Sequence, residues 1–404
     1  MARSRTVDRV VGGNLCTGCG LCASAAASAI EMEDVAPGYV RPVQKGDVPA
    51  EAERVIAEAC PGAKVNAWGA SDDVHPYWGP WRSINTGYAT DDKVRFEGAS
   101  GGAISALLIH ALATGLVDRV VQVRADPRAP TQNFVATSRS REDVLAGAGS
   151  RYASSSPLAN IDAILDEGGS IAFVGKPCDV SALRLLGAVD VRVARHVRLM
   201  LSFFCGGVPS RAGVQSILKA LGTTEEDIVA FRYRGQGWPG SAAATTRDGQ
   251  VLEMSYGESW GDYLAKEVQF RCKICPDAVG GSADISCADA WYGDERGYPS
   301  FEEQDGRSLI IPRTETGERV LREAVEVGVI ALQALPISDI DLMQPAQAAR
   351  KRLVRSRLSG LRVMLQPAPN VAGVKVSEAA KRASLTEQIK NAAGTVRRVL
   401  SRRR

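Results

Sequence analysis

Residues 170–186 read SIAFVGKPCDVSALRLL, and this stretch decides the fold class. Ile171–Val174 is a short apolar run with β-branched residues, bounded by Ser170 and Gly175, as expected of a strand buried in a sheet. Asp179–Leu186 follows as a helix. Working outward, RVVQV (119–123) and HVRLMLSFF (196–204) read as two further buried strands. Helices are expected at Gly102–Thr114, Arg141–Ala148 and Leu158–Asp166. Strand and helix alternating in this way indicate βαβ units, and so a mixed α/β fold between about Asn85 and Asp341.

The chain has 404 residues, 45% hydrophobic and 24% charged, which suits a soluble globular protein of two or three domains. That composition excludes a disordered, collagenous or coiled-coil chain. The longest candidate for a membrane span, Ile104 to Val117, falls short of the ~18–20 apolar residues needed and contains His110. The start, MARSRTVDRVVGG, has no apolar core of a secretory signal, so a cytoplasmic location is expected.

Charge divides the chain unevenly. The overall net charge is +3, yet Leu342 to Arg404 holds fifteen Lys and Arg against Glu378 and Glu387 alone. The body is therefore acidic and the tail strongly basic. Four regions are expected: 1–66, short of helical periodicity and rich in cysteine; a Trp- and Pro-rich connector at 67–84; an α/β region at 85–341; and a basic helical tail at 342–404.

Nine cysteines carry the chemistry. In a reducing compartment they are poor disulfide candidates, and three histidines are too few for a histidine-rich metal site. CTGCGLC places Cys16, Cys19 and Cys22 at the C-x2-C-x2-C spacing that wraps a [4Fe–4S] corner, with Gly18 and Gly20 allowing the tight path. The fourth position of a bacterial ferredoxin run is Ala26 here, and Cys60, followed by Pro61, is the next thiol available. A [4Fe–4S] cluster on Cys16, Cys19, Cys22 and Cys60 is the expected assignment, with a zinc site as the alternative. Cys178, Cys205, Cys272 and Cys275 form a second, scattered set. From spacing alone Cys272 and Cys275 fit a redox dithiol, half of a zinc knuckle, or part of a second cluster. Cys178 and Cys205 both fall just past expected strands, where α/β folds gather functional groups. Cys287 reads as a buried, inert thiol.

Ser100-Gly101-Gly102 opens a helix with Ser105 in its first turn, and two glycines let backbone N–H groups approach an anion while the serine caps. Gly149-Ser150-Arg151-Tyr152 adds a hydroxyl, a cation and an aromatic face. Both suit a dinucleotide; both also suit ordinary caps and turns. There is no G-x-G-x-x-G fingerprint. Lys176 in GKPC is expected near the redox groups, or else as a solvated lysine in a strand-to-helix turn.

Seven segments in order resemble the coenzyme F420 hydrogenase/dehydrogenase β-subunit family: HPYWGPW, GYATDDKVRFEGASGGAISALL, GSRY, GKPCDVSALR, FFCGGVPS, RCKICPD and ADISCADAW. The resemblance implies an FAD-binding α/β domain, a second [4Fe–4S] cluster on Cys178, Cys205, Cys272 and Cys275, and a ferredoxin-like segment holding the first. Where the family reads DISVGDAW this chain has Cys287 and Ala288, which places a ninth thiol near the second set.

Three functions compete. One is a flavin- and iron–sulfur-dependent oxidoreductase linking a one-electron donor such as ferredoxin to a two-electron acceptor, with coenzyme F420 or another small organic molecule as acceptor. Another is a non-catalytic electron-transfer subunit of a larger redox complex, and the third a zinc-stabilised binding protein. A homo-oligomer is compatible with the sequence. In the tail, Leu353, Val354, Leu358, Leu361 and Met364/Leu365 recur at helical spacing among Arg and Lys. Such a helix docks on the body or a partner, or lies on an anionic membrane, or ends as a solvated, fraying terminus. No nucleic-acid partner is expected, because the tail lacks interleaved aromatics.

Overall fold

The computed structural model describes residues 2–69, 71, 73–293 and 299–401. Its centre is an eight-stranded sheet. In chain order the strands are β1 (Asn85–Ala89), β2 (Arg119–Asp126), β3 (Ala129–Ser138), β4 (Ile171–Val174), β5 (Val197–Phe203), β6 (Ile285–Asp289), β7 (Ser308–Pro312) and β8 (Ile330–Ala334). They lie in the order β8-β1-β7-β6-β5-β4-β2-β3. Strands β2, β4, β5 and β6 are parallel neighbours, and the pairings outside them are antiparallel.

The central strands are apolar on both faces because helices cover both. Val120, Ala172, Leu199 and Leu201 point to one side, where α1 (Ala103–Ala113) and α3 (Glu315–Glu326) contribute Leu107, Ala111, Val320 and Leu321. Val121, Ile171, Phe173 and Met200 point to the other, against Val180 and Leu183 of α2 (Pro177–Gly187). The period of two thus divides one sheet between two cores. Pro177 sits in the first turn of α2, and Asp179 closes a capping box on the Lys176 backbone, so the helix starts as soon as the strand ends. The expected strands and helices at 102–204 lie within a few residues of those found. Strand β3 and a three-stranded sheet of Ile228–Arg232, Ala242–Thr246 and Val251–Met254 were not anticipated, because their apolar alternation is weak.

The first segment is more helical than its reading suggested. Arg5–Gly12, Leu21–Ala25 and Ala50–Ala59 are all helices, beside a hairpin of Ile30–Val35 and Tyr39–Gln44. AEAERVIAEA at 50–59 is Ala- and Glu-rich and buries only Ala52, Ile56 and Ala59, a narrow stripe that is easily overlooked.

The tail folds onto the body. Helix α4 (Pro345–Val363) packs against α5 (Leu385–Leu400), and its Val354, Leu358 and Leu361 enter a core with Leu15, Trp68, Trp78 and Ile274. Leu365 stands 92% exposed just past the helix end. Helix α5 carries the regular structure to Leu400, and Arg402–Arg404 lie outside the described residues. Among the described residues no helix is long and apolar enough to cross a membrane.

Candidate active site

The carboxyl ends of β4, β5 and β6 open into a cavity of about 780 Å³. Ser100, Gly102, Ser105, Gly149, Ser150, Arg151, Tyr152, Lys176 and Cys205 all line it. Gly101 stands just behind the wall, with its Cα hydrogens against Ser308. Segments distant in sequence thus meet at the position where α/β sheets bind ligands.

The glycine loop forms one wall. Gly101 and Gly102 adopt φ values of +51° and +69°, and a Cβ on Gly102 would meet the Val94 carbonyl oxygen at 2.4 Å. Only glycine fits there. The turn delivers the N-terminus of α1 to the cavity, where its first backbone N–H groups have no partner within the helix. Ser100 does not cap α1 as expected. Its hydroxyl donates to the Ala288 and Arg307 carbonyls at 3.2 and 3.0 Å, and Gly102 takes the capping position. A loop crossing the ends of β6 and β7 needs that tie more than the helix needs a serine.

Arg151 also differs from its expected part. Its guanidinium donates to the Asn133 amide oxygen and to the carbonyls of Phe231, Pro130 and Gln132, between 2.7 and 2.9 Å. Four hydrogen bonds tie the GSRY turn to β3 and the small sheet, and burial lowers the pKa of the group. Tyr152 turns its ring against Trp260, with centroids 4.9 Å apart.

Sequence reading missed the opposite wall. Arg234 is 2% exposed and sits over the rings of Tyr256 and Trp291 at 4.7 and 4.8 Å. It grips Asp289 with both terminal nitrogens, and Trp238 donates to the same carboxylate at 2.8 Å. Burial opposes the charge on Arg234, and Asp289 more than restores it, so the pKa ends above the ordinary value. The signal was present in RYRGQGWPG and SYGESWGDY, both dense in aromatics and glycine.

Lys176 is buried rather than solvated. Its ammonium pairs with Asp179 at 2.7 Å and donates to the Ser155 hydroxyl at 3.1 Å. Burial pulls its pKa down, but Asp179 and the neighbouring thiols Cys178 and Cys205 push it above the ordinary lysine value.

Within each of two groups the thiols act on one another. Gly20, at φ +88°, turns the chain so tightly against Ala159 that a Cβ would lie 2.7 Å from its nitrogen. Burial raises the pKa of Cys19 and Cys22, and each feels the charge of Cys60 and Cys16. Cys60 is pushed up to about 11 by burial and Cys16. In the second group Cys178 feels Cys205 and Cys275, while burial, Cys272 and Cys275 push Cys205 up to about 12. Gln347 and Arg350 of α4 hold the Cys205 carbonyl at 3.0 and 2.9 Å, so the tail helps build this turn. Cys287 lies in β6, is pushed up to about 12 by burial, and lines the same cavity as Cys205, its carbonyl accepting from the Phe204 N–H at 2.9 Å.

Among the described residues no three His, Cys, Asp or Glu side chains converge as single-ion ligands. The donor set, two groups of four free cysteines, is nevertheless the chemistry that [4Fe–4S] clusters take. Four buried polar atoms without a partner stand beside the thiols: Thr17 Oγ1, Asp179 Oδ1, Arg271 Nε and Gln347 Oε1. Buried polar atoms are ordinarily paired, so these mark where further polar groups belong.

Two sequence profiles match the chain, the N-terminal part of the coenzyme F420 hydrogenase/dehydrogenase β subunit over residues 84–161 and its C-terminal part over 168–337. The coenzyme F420 hydrogenase subunit β of Methanococcus voltae is 27% identical over 302 residues, covering 72% of this chain and 99% of that protein. The rice chloroplastic 7-hydroxymethyl chlorophyll a reductase is 24% identical over 280 residues, covering 69% of this chain and 56% of the reductase. A chain of the F420-reducing [NiFe] hydrogenase complex from Methanosarcina barkeri shares the fold at a TM-score of 0.56 and 22% identity, over 74% of this chain and 99% of that one. With both profiles matched in order across the sheet and the cavity at its carboxyl edge, the chain belongs to the coenzyme F420 hydrogenase/dehydrogenase β-subunit family.

Proposed function

We propose that the protein is a flavin- and iron–sulfur-dependent oxidoreductase that passes electrons between a ferredoxin-like one-electron donor, or a partner redox subunit, and a two-electron acceptor of the coenzyme F420 type. The observation that carries this reading is the single cavity shared by the glycine loop, the aromatic wall, Lys176 and Cys205. When bound, FAD exchanges electrons singly or in pairs and [4Fe–4S] clusters exchange them singly.

Each wall has a part in this. The first N–H groups of α1, presented by Gly101 and Gly102, would bind the pyrophosphate. Tyr152, Tyr256, Trp260 and Trp291 would exclude water from an aromatic ring system and stack beside it. Lys176 keeps a proton and a positive charge at the cavity floor, next to Cys178 and Cys205, where it favours added negative charge. Cys16, Cys19, Cys22 and Cys60 would hold one cluster within residues 1–66. Cys178, Cys205, Cys272 and Cys275 would hold the other beside the flavin in 85–341. Each thiol must give up its proton on ligation, which burial opposes at Cys16, Cys19, Cys22, Cys60, Cys178, Cys205 and Cys275 until iron is present.

Anaerobic purification tests the proposal. The expected chain carries FAD, about eight irons, and reduces coenzyme F420 with reduced ferredoxin. A colourless chain with zinc in place of iron would overturn it. A brown flavoprotein that reduces no acceptor until a partner subunit is added would identify an electron-transfer subunit.

A further inference from the structure

Arg271 lies between the two thiol groups. It precedes Cys272 in the chain, and its Nη2 donates at 3.0 Å to the carbonyl of Pro61, which follows Cys60. One guanidinium therefore spans from a residue next to one set to a residue next to the other. It is 3% exposed. The hydrogen bond to Pro61 is its only one among the described residues, and its Nε is buried without a partner. No described carboxylate pairs with it, whereas Arg119, Arg184 and Arg234 each have an acidic partner.

A guanidinium keeps its charge inside a protein, and an uncompensated buried charge is costly. Thiols of both groups are among the anion sources nearby. Arg271 acts electrostatically on Cys16 and Cys60 of the first group and on Cys275 of the second. Lys176 and Arg350 act within the second set, and Arg41 acts on Cys16 and binds the Gln269 side chain that contacts Cys272, whereas Arg271 acts on thiols of both groups itself.

We propose that Arg271 is the shared counter-cation of the two thiolate clusters, meeting the negative charge that arrives at either one and so tying their potentials together. This rests on the proposed function, since it needs both clusters in place. Arg271 is a positioning residue rather than a catalytic one, because it acts through the thiolates. Its position makes the two sets one electrostatic unit: a substitution at this single site, outside all eight cysteines, changes both.

The test uses the full chain purified anaerobically, as wild type, Arg271→Gln and Arg271→Lys. Iron per chain is measured, and each cluster's midpoint potential is followed by a redox titration with electron paramagnetic resonance. Cys19→Ser and Cys178→Ser backgrounds assign the signals. Arg271→Gln is expected to shift both midpoint potentials downward, and Arg271→Lys to shift both by less. A shift at one cluster alone, or at neither, overturns the inference. Should Arg271→Gln fail to retain iron, loss from both sets with recovery in Arg271→Lys supports it, and loss from one set overturns it. A wild type without iron overturns the function itself, a separate result seen before any variant is made.

Discussion

Arg234 and Asp289 join through two hydrogen bonds, 2.8 and 2.6 Å long, that fasten the loop between the first two strands of the small sheet to the end of β6. The guanidinium is almost wholly buried under Tyr256 and Trp291, so its carboxylate partner cannot be removed without leaving a buried charge. Asp289→Asn is expected to destabilise the protein by on the order of 3–5 kcal/mol. The aromatic wall should loosen with it. Thermal melting and flavin content per chain check this, and an unchanged melt with full flavin would refute the role assigned to the pair.

Gly102→Ala should cost more than its neighbour in kind, Gly115→Ala. Both residues have φ near +70°, but a Cβ on Gly115 meets nothing within 4 Å while one on Gly102 strikes the Val94 carbonyl. Gly115→Ala pays only the backbone strain, about 1 kcal/mol. Gly102→Ala adds a steric clash at the mouth of α1, so lower stability and reduced flavin occupancy are expected together. Urea midpoints and flavin absorbance measure both.

Cys19→Ser and Cys178→Ser should each remove about four of about eight irons. The two losses differ in what accompanies them. Cys19 lies in the N-terminal loop away from the cavity wall, so its variant keeps FAD and loses reduction by ferredoxin. Iron near the wild-type value in Cys19→Ser would overturn the ligand assignment of the first set.

His110 supplies a pH dependence. It is 5% exposed, its Nε2 has no hydrogen-bond partner among the described residues, and burial lowers its pKa below the ordinary value. The folded state therefore binds this proton less readily than the unfolded state, and stability falls as pH drops below about 6.5. His110→Leu removes that component. The melting temperature of the variant should gain on wild type between about pH 7 and about pH 5, and a constant difference across that range would contradict the assignment.

A chain ending at Asp341 should fail to fold to the native core. Such a truncation uncovers the surfaces of Trp68, Trp78 and Ile274 that Val354, Leu358 and Leu361 cover, and frees the Cys205 turn from Gln347 and Arg350. Aggregation on size exclusion and loss of bound iron are expected. A truncated chain that is monodisperse and keeps its iron would show that the tail is dispensable.

Features that depend on local spacing are legible in the residues alone. Short apolar runs in Ile171–Val174 and Val197–Phe203 set strands, Pro177 and Asp179 set the start of α2, and the Cys16–Cys22 spacing marked the loop proposed to hold a cluster. The apolar stripe of α4 was legible for the same reason, since a helical period shows which residues share a face. What that face meets is not local. Packing in three dimensions sets α4 over Trp78 and turns the Arg151 guanidinium to backbone carbonyls. It likewise decided that Arg234 reaches Asp289 across 55 residues and that Arg271 stands between the two thiol groups. Buried charges and polar donors take whatever partner the chain's path brings within about 3 Å, and that path is settled by how the sheet and its covering helices pack together.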